Sequence, residues 1–278
     1  MFEKGGYELD FGNVRVILLS AWYVNGMFGK IVYLYCATAF FVFGLVETRH
    51  ASVYRNVKRL TDKIAQKLSV NVSGIEFKPM DFLSIPIVAP VFEDWAWTYL
   101  KVKEDDVVVD LGAHIGKYAC TIAKLVGTHG RVIAVEANPA NYVLLVKNAL
   151  LNKLENVVAL NLAAYDRDCE IRLFDGANSS GRSSIKLDNG VGSVMVQARA
   201  LDTVPELTSL RRIDFVKVDV EGAEYEAIVG MSKLLRLHKP SLLLEVWDFG
   251  KLRPLLLRLG YTRVTLDPHR RGYYFVSQ

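Results

Sequence analysis

The sequence predicts an α/β protein: a mostly parallel sheet of seven strands with helices on both faces, preceded by a helical N-terminal region. Three observations predict it. From about Val91 onward, short runs rich in β-branched residues alternate with stretches of helical periodicity. The last two strand-like runs follow one another with only a turn between them, which adds an antiparallel strand to the sheet. The residues before Val91 have a different composition, so the chain divides into 1–90, a hydrophobic and basic helical region, and 91–278, the sheet domain.

The strands are read at Val107 to Leu111, Arg131 to Glu136, Val157 to Asn161, Ile213 to Val220 and Ser241 to Trp247. Helices are read at Ile115 to Val126, Ala140 to Leu151, Ala223 to Leu237 and Lys251 to Leu259. Strand, helix, strand repeated in this way demands crossover connections and hence a parallel sheet covered on both faces. Thr262 to Leu266 and Gly272 to Val276 form the closing hairpin, around the turn 267–271. That hairpin is expected to place its antiparallel strand at the sheet edge.

The N-terminal region is the unusual part. Val16 to Val46 holds a single charge, Lys30, and many aromatics. Its uncharged stretch, Ile31 to Val46, is just short of the ~17–25 residues that usually span a bilayer. It lacks the basic start and small-residue cleavage pattern of a signal peptide. Val53, Val57, Leu60, Ile64 and Leu68 then recur at spacings of four and three, the apolar face of a helix, with Arg55, Lys58, Arg59, Lys63 and Lys67 elsewhere around it. Three readings stay open: a transmembrane span with its positive flank on the cytoplasmic side, helices lying in the membrane interface, and core helices with a solvated charged face.

The whole chain has 278 residues and a formal charge of +4, well short of the concentrated charge of a nucleic-acid binder. Its three cysteines, Cys36, Cys120 and Cys169, form neither a disulfide framework nor a metal spacing such as CxxC, so a cytoplasmic setting is expected for the sheet domain.

The first strand runs into Asp110-Leu111-Gly112-Ala113-His114-Ile115-Gly116. Glycines there allow a tight turn and a close approach to a ligand, and the next helix begins with free N–H groups at the carboxyl end of the sheet. Glu136 closes the second strand, where a carboxylate can accept both hydrogens of a ribose diol. The spacing is not Gly-x-Gly-x-x-Gly and has no phosphate-binding lysine, and an acidic residue at the loop start repels pyrophosphate. It suits instead the ammonium group of an amino-acid-bearing cofactor.

The stretch Phe215-Val216-Lys217-Val218-Asp219-Val220-Glu221-Gly222-Ala223-Glu224, with VVVDLGAHIGKY, VIAVEANP, Leu201-Asp202 and PSLLLEVWD, resembles the FkbM family of methyltransferases. The resemblance covers about Val107 to Trp247. It implies a class I (Rossmann-like) methyltransferase fold, S-adenosylmethionine as donor and a hydroxyl oxygen as the usual acceptor, on a small molecule, glycan or lipid-linked sugar. Carried over by position, Asp110, Gly112, Ala113, Gly116, Glu136, Ala137, Ala163 and Asp219 are expected at the donor.

Asp219, Glu221 and Glu245 lie at the carboxyl ends of the fourth and fifth strands and are the candidate catalytic groups. Three carboxylates on one rim can take the hydroxyl proton, bind the acceptor or ligate a divalent cation. Glu221 and Glu224 also suit a helix N-terminus, and Lys217 suits a carboxylate partner. His114 is read as a base or as a shaper of its turn, and the polar run Asn178 to Ser184 as an acceptor loop or a hairpin tip. Trp95, Trp97 and Tyr99 are read as core or as a cleft lining. Two other functions stand beside the leading one: RNA methylation with residues 49–67 as a backbone-binding stripe, and a membrane-associated module that keeps the fold without turnover. A membrane surface is therefore a second expected partner, while a nucleic acid is not expected.

Overall fold

Alternation along the strands decides how this chain layers itself. The computed structural model describes residues 11–44, 51–93, 96–176, 180–188, 190–266 and 273–277. The chain divides into two compact units, 1–94 and 95–278.

In the first unit the low-charge segment does not form one continuous helix. It forms α1 (Phe11–Ser20) and α2 (Met27–Gly44), separated by a single 3-10 turn at Ala21–Tyr23 and the bend at Gly26. Among the described residues no helix is long and apolar enough to cross a membrane, so the transmembrane reading is not supported. Tyr33 of α2 is fully buried, stacks on Phe82 with ring centroids 5.2 Å apart, and donates its hydroxyl to the Ile17 carbonyl at 2.9 Å. The basic helix α3 (Ala51–Ala65) ends three residues before Leu68. Among the described side chains, which leave out 51–54 and so Val53, its buried positions are Thr61 and Ala65, while Leu60 is exposed. The packing face is therefore rotated away from Leu60, and Val57, Ile64 and Leu68 lie only half-buried beside it. The small hairpin β1 (Val70–Val72) and β2 (Ile75–Phe77) and the short helix α4 (Ser84–Val88) complete the unit.

The second unit opens with α5 (Ala96–Tyr99), β3 (Val107–Leu111), α6 (Lys117–Val126), β4 (Arg131–Glu136), α7 (Pro139–Leu151) and β5 (Val157–Asn161). An insertion follows: β6 (Ala163–Tyr165), β7 (Cys169–Phe174) and β8 (Ser193–Ala200), a three-stranded sheet of its own in the order β6-β8-β7. After α8 (Pro205–Thr208) the main sheet resumes with β9 (Phe215–Val218), α9 (Glu224–Gly230), α10 (Ser232–His238), β10 (Ser241–Glu245), α11 (Phe249–Arg258), β11 (Arg263–Leu266) and β12 (Tyr273–Ser277).

The seven strands lie in the order β11-β12-β10-β9-β3-β4-β5. β12 is antiparallel to both neighbours, so the antiparallel strand sits one place in from the edge and β11 takes the edge. The expected turn 267–271 and Gly272 lie outside the described residues. Residues of odd and even number part to opposite faces. Val109, Leu111, Val216, Val218, Leu242 and Leu244 pack with α9, α10 and α11, and Val108, Phe215 and Leu243 pack with α5 and α6. Trp97 tilts against Tyr118, centroids 5.0 Å apart, and Tyr99 stacks with Phe275, so both belong to the core on the α6 side. Trp95 lies outside the described residues.

Two elements are shorter than their periodicity suggests. β9 stops at Val218 because Glu221 and Gly222 both have positive φ, 50° and 102°, which turns the chain at once into α9. The apolar run after Ala223 breaks at Met231 into two helices. The first of them ends at Gly230, where a Cβ would lie 1.7 Å from the Tyr165 carbonyl oxygen, so β6 passes directly against α9.

Candidate functional site

The candidate site lies at the carboxyl ends of β9, β3 and β4, where the strand order changes direction. The loop after β3 is fastened to β4 by three N–H donors. Gly112 and Ala113 donate to the Val135 carbonyl at 2.9 and 3.0 Å, and His114 donates to Glu136 Oε2 at 2.8 Å. His114 has φ of 51° and shapes the turn through its backbone. From below, the buried Asn148 of α7 donates to the Ile115 carbonyl at 2.8 Å.

Gly112, with φ of 81°, is required by packing. Its Cβ would stand 1.7 Å from the Asp219 carbonyl oxygen, so the loops after β3 and β9 touch backbone to backbone. Gly116, with φ of 98°, caps α6, and a Cβ there would press on Leu145 and Cys120. Gly112 thus lets the loops after β3 and β9 meet, and Gly116 lets the start of α6 pass close to α7.

Glu136 is buried, and burial pushes its carboxyl up to about 7. Besides His114 it receives the N–H of Asn138 at 2.9 Å and the Asn141 amide at 3.4 Å, both on Oε1. Asn138 in turn caps α7, accepting from the N–H groups of Ala140 and Asn141, with Pro139 at the first helical position. Ala163 is buried in the small sheet, where it pairs with Ala198, and Ala137 packs against the same apolar cluster.

Asp110 and Lys217 pair in register across β3 and β9 and point to the face that α6 covers. Asp110 is fully buried, neither of its oxygens has a hydrogen-bond partner, and burial raises its carboxyl to about 6, opposed by Lys217. Lys217 Nζ lies 3.8 Å from Asp110 Oδ1, donates to Asp219 Oδ2 at 3.0 Å, and stands 4.7 Å from the Tyr118 ring centroid. The expectation that Lys217 serves carboxylates therefore describes its geometry.

The turn after β9 is held by Glu224, a buried carboxylate that accepts from the N–H of Gly222 and, at 3.5 Å, from that of Trp247. Glu224 thus serves its helix N-terminus, with its carboxyl raised by burial. The Glu221 carboxyl is pushed well above the usual range, first by burial and then by the Asp219 charge, with Arg182 opposing. Glu245 ends β10 one residue beyond the Leu244–Val218 pair, on the same rim and half-buried. Among the described residues no group of three or more His, Cys, Asp or Glu is placed to hold a metal ion, so the rim carboxylates do not gather as a cation site.

Asn178 and Ser179 lie outside the described residues, but the end of that run is anchored. Ser183 Oγ accepts from Asn138 Nδ2 at 3.1 Å, and the buried Ser184 donates to the Glu221 carbonyl at 2.6 Å. The segment therefore ties the end of β4 to the end of β9 across the end of β3 between them. It is a strap over the site rather than a free hairpin tip. Asn138, Asn141 and Asn148 do not stand out as site residues in the sequence. Asn138-Pro139 before a helix is the one signal that marks the first of them.

S-adenosylmethionine carries a sulfonium and an ammonium against one carboxylate, and the residues present fit that balance. Glu136, Asp219 and Glu221 face the rim with Asp110 beneath, against Lys217 and Arg182. Glu136 Oε2 accepts one N–H, which leaves a lone pair for a ribose hydroxyl. Asp110 is sealed from solvent beneath the loop.

A seven-stranded sheet with this strand order, an acidic glycine loop after β3 and a carboxylate closing β4 define a class I, S-adenosylmethionine-dependent methyltransferase. The chain belongs to the FkbM family: the family model for the methyltransferase FkbM domain matches residues 110–263, more than half of its length. Hexuronic acid methyltransferase AglP of Haloferax volcanii is 26% identical over 197 aligned residues, covering 66% of this chain and 80% of AglP. Methyltransferase sdnD of Sordaria araneosa is 25% identical over 203, covering 60% and 76%. The crystal structure of an FkbM methyltransferase from Methylobacillus flagellatus aligns with 16% identity and a TM-score of 0.47, over 95% of this chain and 58% of that one.

Proposed function

We propose that this enzyme moves a methyl group from S-adenosylmethionine to a hydroxyl of a glycan-type acceptor, with Glu221 taking the hydroxyl proton. The single observation that carries the proposal is the pair of carboxylates on the β9 turn. Asp219 is ion-paired to Lys217, and Glu221 is raised toward neutrality beside it. The donor, when bound, supplies a methyl on a positive sulfur; the S–CH3 bond breaks as the O–CH3 bond forms and the hydroxyl proton must leave. A carboxylate whose pKa lies near working pH is the better proton acceptor. Asp219 then orients the hydroxyl, and Glu136 holds the donor ribose, with Ala137 and Ala163 on the adenine side. The similarity to a hexuronic acid methyltransferase supports a sugar as acceptor. No step requires a divalent cation.

The test has two stages. Calorimetry with S-adenosylmethionine reads donor binding by the full chain. Incubation with hexuronic-acid-containing oligosaccharides then seeks a mass gain of about 14 daltons, the CH2 increment of one transferred methyl. An alkali-stable methyl on a hydroxyl, lost in Glu221→Gln, is the expected result. An alkali-labile methyl ester would overturn the hydroxyl assignment, since a carboxylate acceptor has no proton to give up. A chelator that abolishes turnover would overturn the metal-free reading.

A further inference from the structure

We propose that the exposed apolar faces of α1 and α2 dock the protein onto an anionic lipid surface, lying on the bilayer without crossing it. At about 100° per residue, Met27, Phe28, Ile31, Leu34 and Tyr35 fall within roughly 120° of the α2 circumference. All five are exposed, Met27 at 76%, Phe28 at 79% and Tyr35 at 75%. The opposite arc, Gly29, Tyr33, Cys36 and Ala37, is buried. A helix apolar all round needs cover on both sides, and α2 has cover on one. Within the stripe the Thr38 hydroxyl donates to the Leu34 carbonyl at 3.0 Å, so it brings no unsatisfied polar group.

α1 repeats the pattern. Ile17 and Ser20 are buried, while Leu18, Leu19 and, just beyond the helix, Trp22 at 78% are exposed. Lys30 stands 4.9 Å over the Trp22 ring, which joins the two faces. Trp22, Phe28 and Tyr35 alone leave on the order of 450 Å2 of ring uncovered at ~200 Å2 each. Adding the five aliphatic side chains takes the patch past the ~300–600 Å2 that is the largest on an ordinary monomer.

Charge selects the occupant. Residues 11–69 hold eight Lys and Arg against Glu47 and Asp62, whereas the compact unit 1–94 as a whole holds ten against nine Asp and Glu, so the positive charge is gathered on the helical segment. A second copy of this chain would set one basic helical segment against another. An anionic surface instead attracts, at about 1 kcal/mol per cation near it. Exposed Trp and Tyr beside Lys and Arg is also the composition that settles at a bilayer interface.

The experiment is flotation of the full-length chain with vesicles of phosphatidylcholine alone or mixed in equal parts with phosphatidylglycerol, at low and physiological salt. The expected result is binding to the mixed vesicles that weakens with salt. The exposed triple variant Trp22→Ser, Phe28→Ser, Tyr35→Ser should lose at least about a hundredfold in partitioning. That loss is about 2.8 kcal/mol, which withdrawing only about 110 Å2 of apolar surface supplies at ~25 cal/mol per Å2. A folded, monomeric wild type that ignores the mixed vesicles at low salt would overturn the proposal. So would a wild-type dimer that the triple variant converts to monomer, which would make the stripe a contact between copies. Donor binding plays no part in this measurement, so its outcome is independent of the methyl-transfer assignment.

Discussion

Replacing Gly112 by alanine should cost the fold more than it costs the ligand, and the structure sets the size of the effect. The residue has φ of 81°, which an L side chain adopts at a cost of roughly 1–3 kcal/mol. The added Cβ would also lie 1.7 Å from the Asp219 carbonyl oxygen and 2.8 Å from its carbonyl carbon, both backbone atoms that no rotamer change can move aside. Relief requires β3 and β9 to part at their ends, where the Asp219 N–H bonds the Leu111 carbonyl at 3.0 Å and Gly112 itself bonds Val135. Losing one such bond adds about 1 kcal/mol. A total of about 3 kcal/mol or more, in a unit of this size, lowers the melting temperature by roughly 6–12 °C at ~2–4 °C per kcal/mol. The assay is thermal unfolding followed by circular dichroism, with calorimetry for S-adenosylmethionine on the fraction that remains folded. A Gly112→Ala protein with wild-type melting and lost donor affinity would refute the reasoning, because it would place the glycine against the ligand after all.

Glu136→Ala should weaken S-adenosylmethionine binding by roughly 10–100-fold in calorimetry, since it removes charged hydrogen bonds worth ~1.5–3 kcal/mol and releases the His114 N–H that fixes the loop. Stability should fall as pH rises from about 4 to about 7. Burial raises Asp110 from 3.8 to about 6 and Glu136 from 4.5 to about 7, so over that window the folded chain holds more protons than the unfolded one. Asp110→Asn should flatten that slope in denaturant melts at stepped pH, and an unchanged slope would show that Asp110 does not contribute to it. Asp202→Ala should lower stability by about 1 kcal/mol in urea unfolding, because its carboxylate caps α10 from the preceding loop, accepting from the N–H groups of Lys233 and Leu234 at 2.9 and 3.0 Å.

The parts of the fold that could be read from the sequence are those where local pattern and tertiary demand agree. Val107 to Leu111 and Arg131 to Glu136 are largely apolar because both strands are buried on both faces, Val157 to Asn161 is a half-buried edge strand, and all three have the expected bounds. The departures occur where a partner distant in sequence sets the outcome. The apolar run after Ala223 breaks beside Gly230, where the Tyr165 carbonyl leaves no room for a Cβ, and no pattern in residues 223–237 announces Tyr165. Leu60 continues a helical apolar spacing yet lies exposed, since Thr61 and Ala65 are the residues that the rest of the unit covers. The closing hairpin reads as an edge because strand order is invisible locally. Whether β12 or β11 meets β10 depends on where the chain returns after α11.

The candidate site divides in the same way, and the division explains its chemistry. Asp110, Glu136, Lys217 and Asp219 each stand out in the sequence as polar residues at or near strand ends. That Asp110 and Lys217 are partners follows only from β3 lying beside β9 in register, a pairing that also brings Asp219 within 3.0 Å of the same ammonium. One buried cation thus balances a sealed carboxylate below and an accessible one above. Glu221 has no comparable cation within its own strand: the Lys217 ammonium is engaged by Asp110 and Asp219, and the nearest relief comes from Arg182 on the strap. This asymmetry separates the two rim carboxylates. Asp219 is fixed by its ion pair with Lys217, suited to orienting a hydroxyl, whereas Glu221, in the left-handed turn with φ of 50°, has its carboxyl pushed up. The strap therefore bears on the chemistry as well as on access. Arg182→Ala should raise the Glu221 carboxyl further and shift the pH dependence of methyl transfer to higher pH, a shift that loss of acceptor contacts alone would not produce.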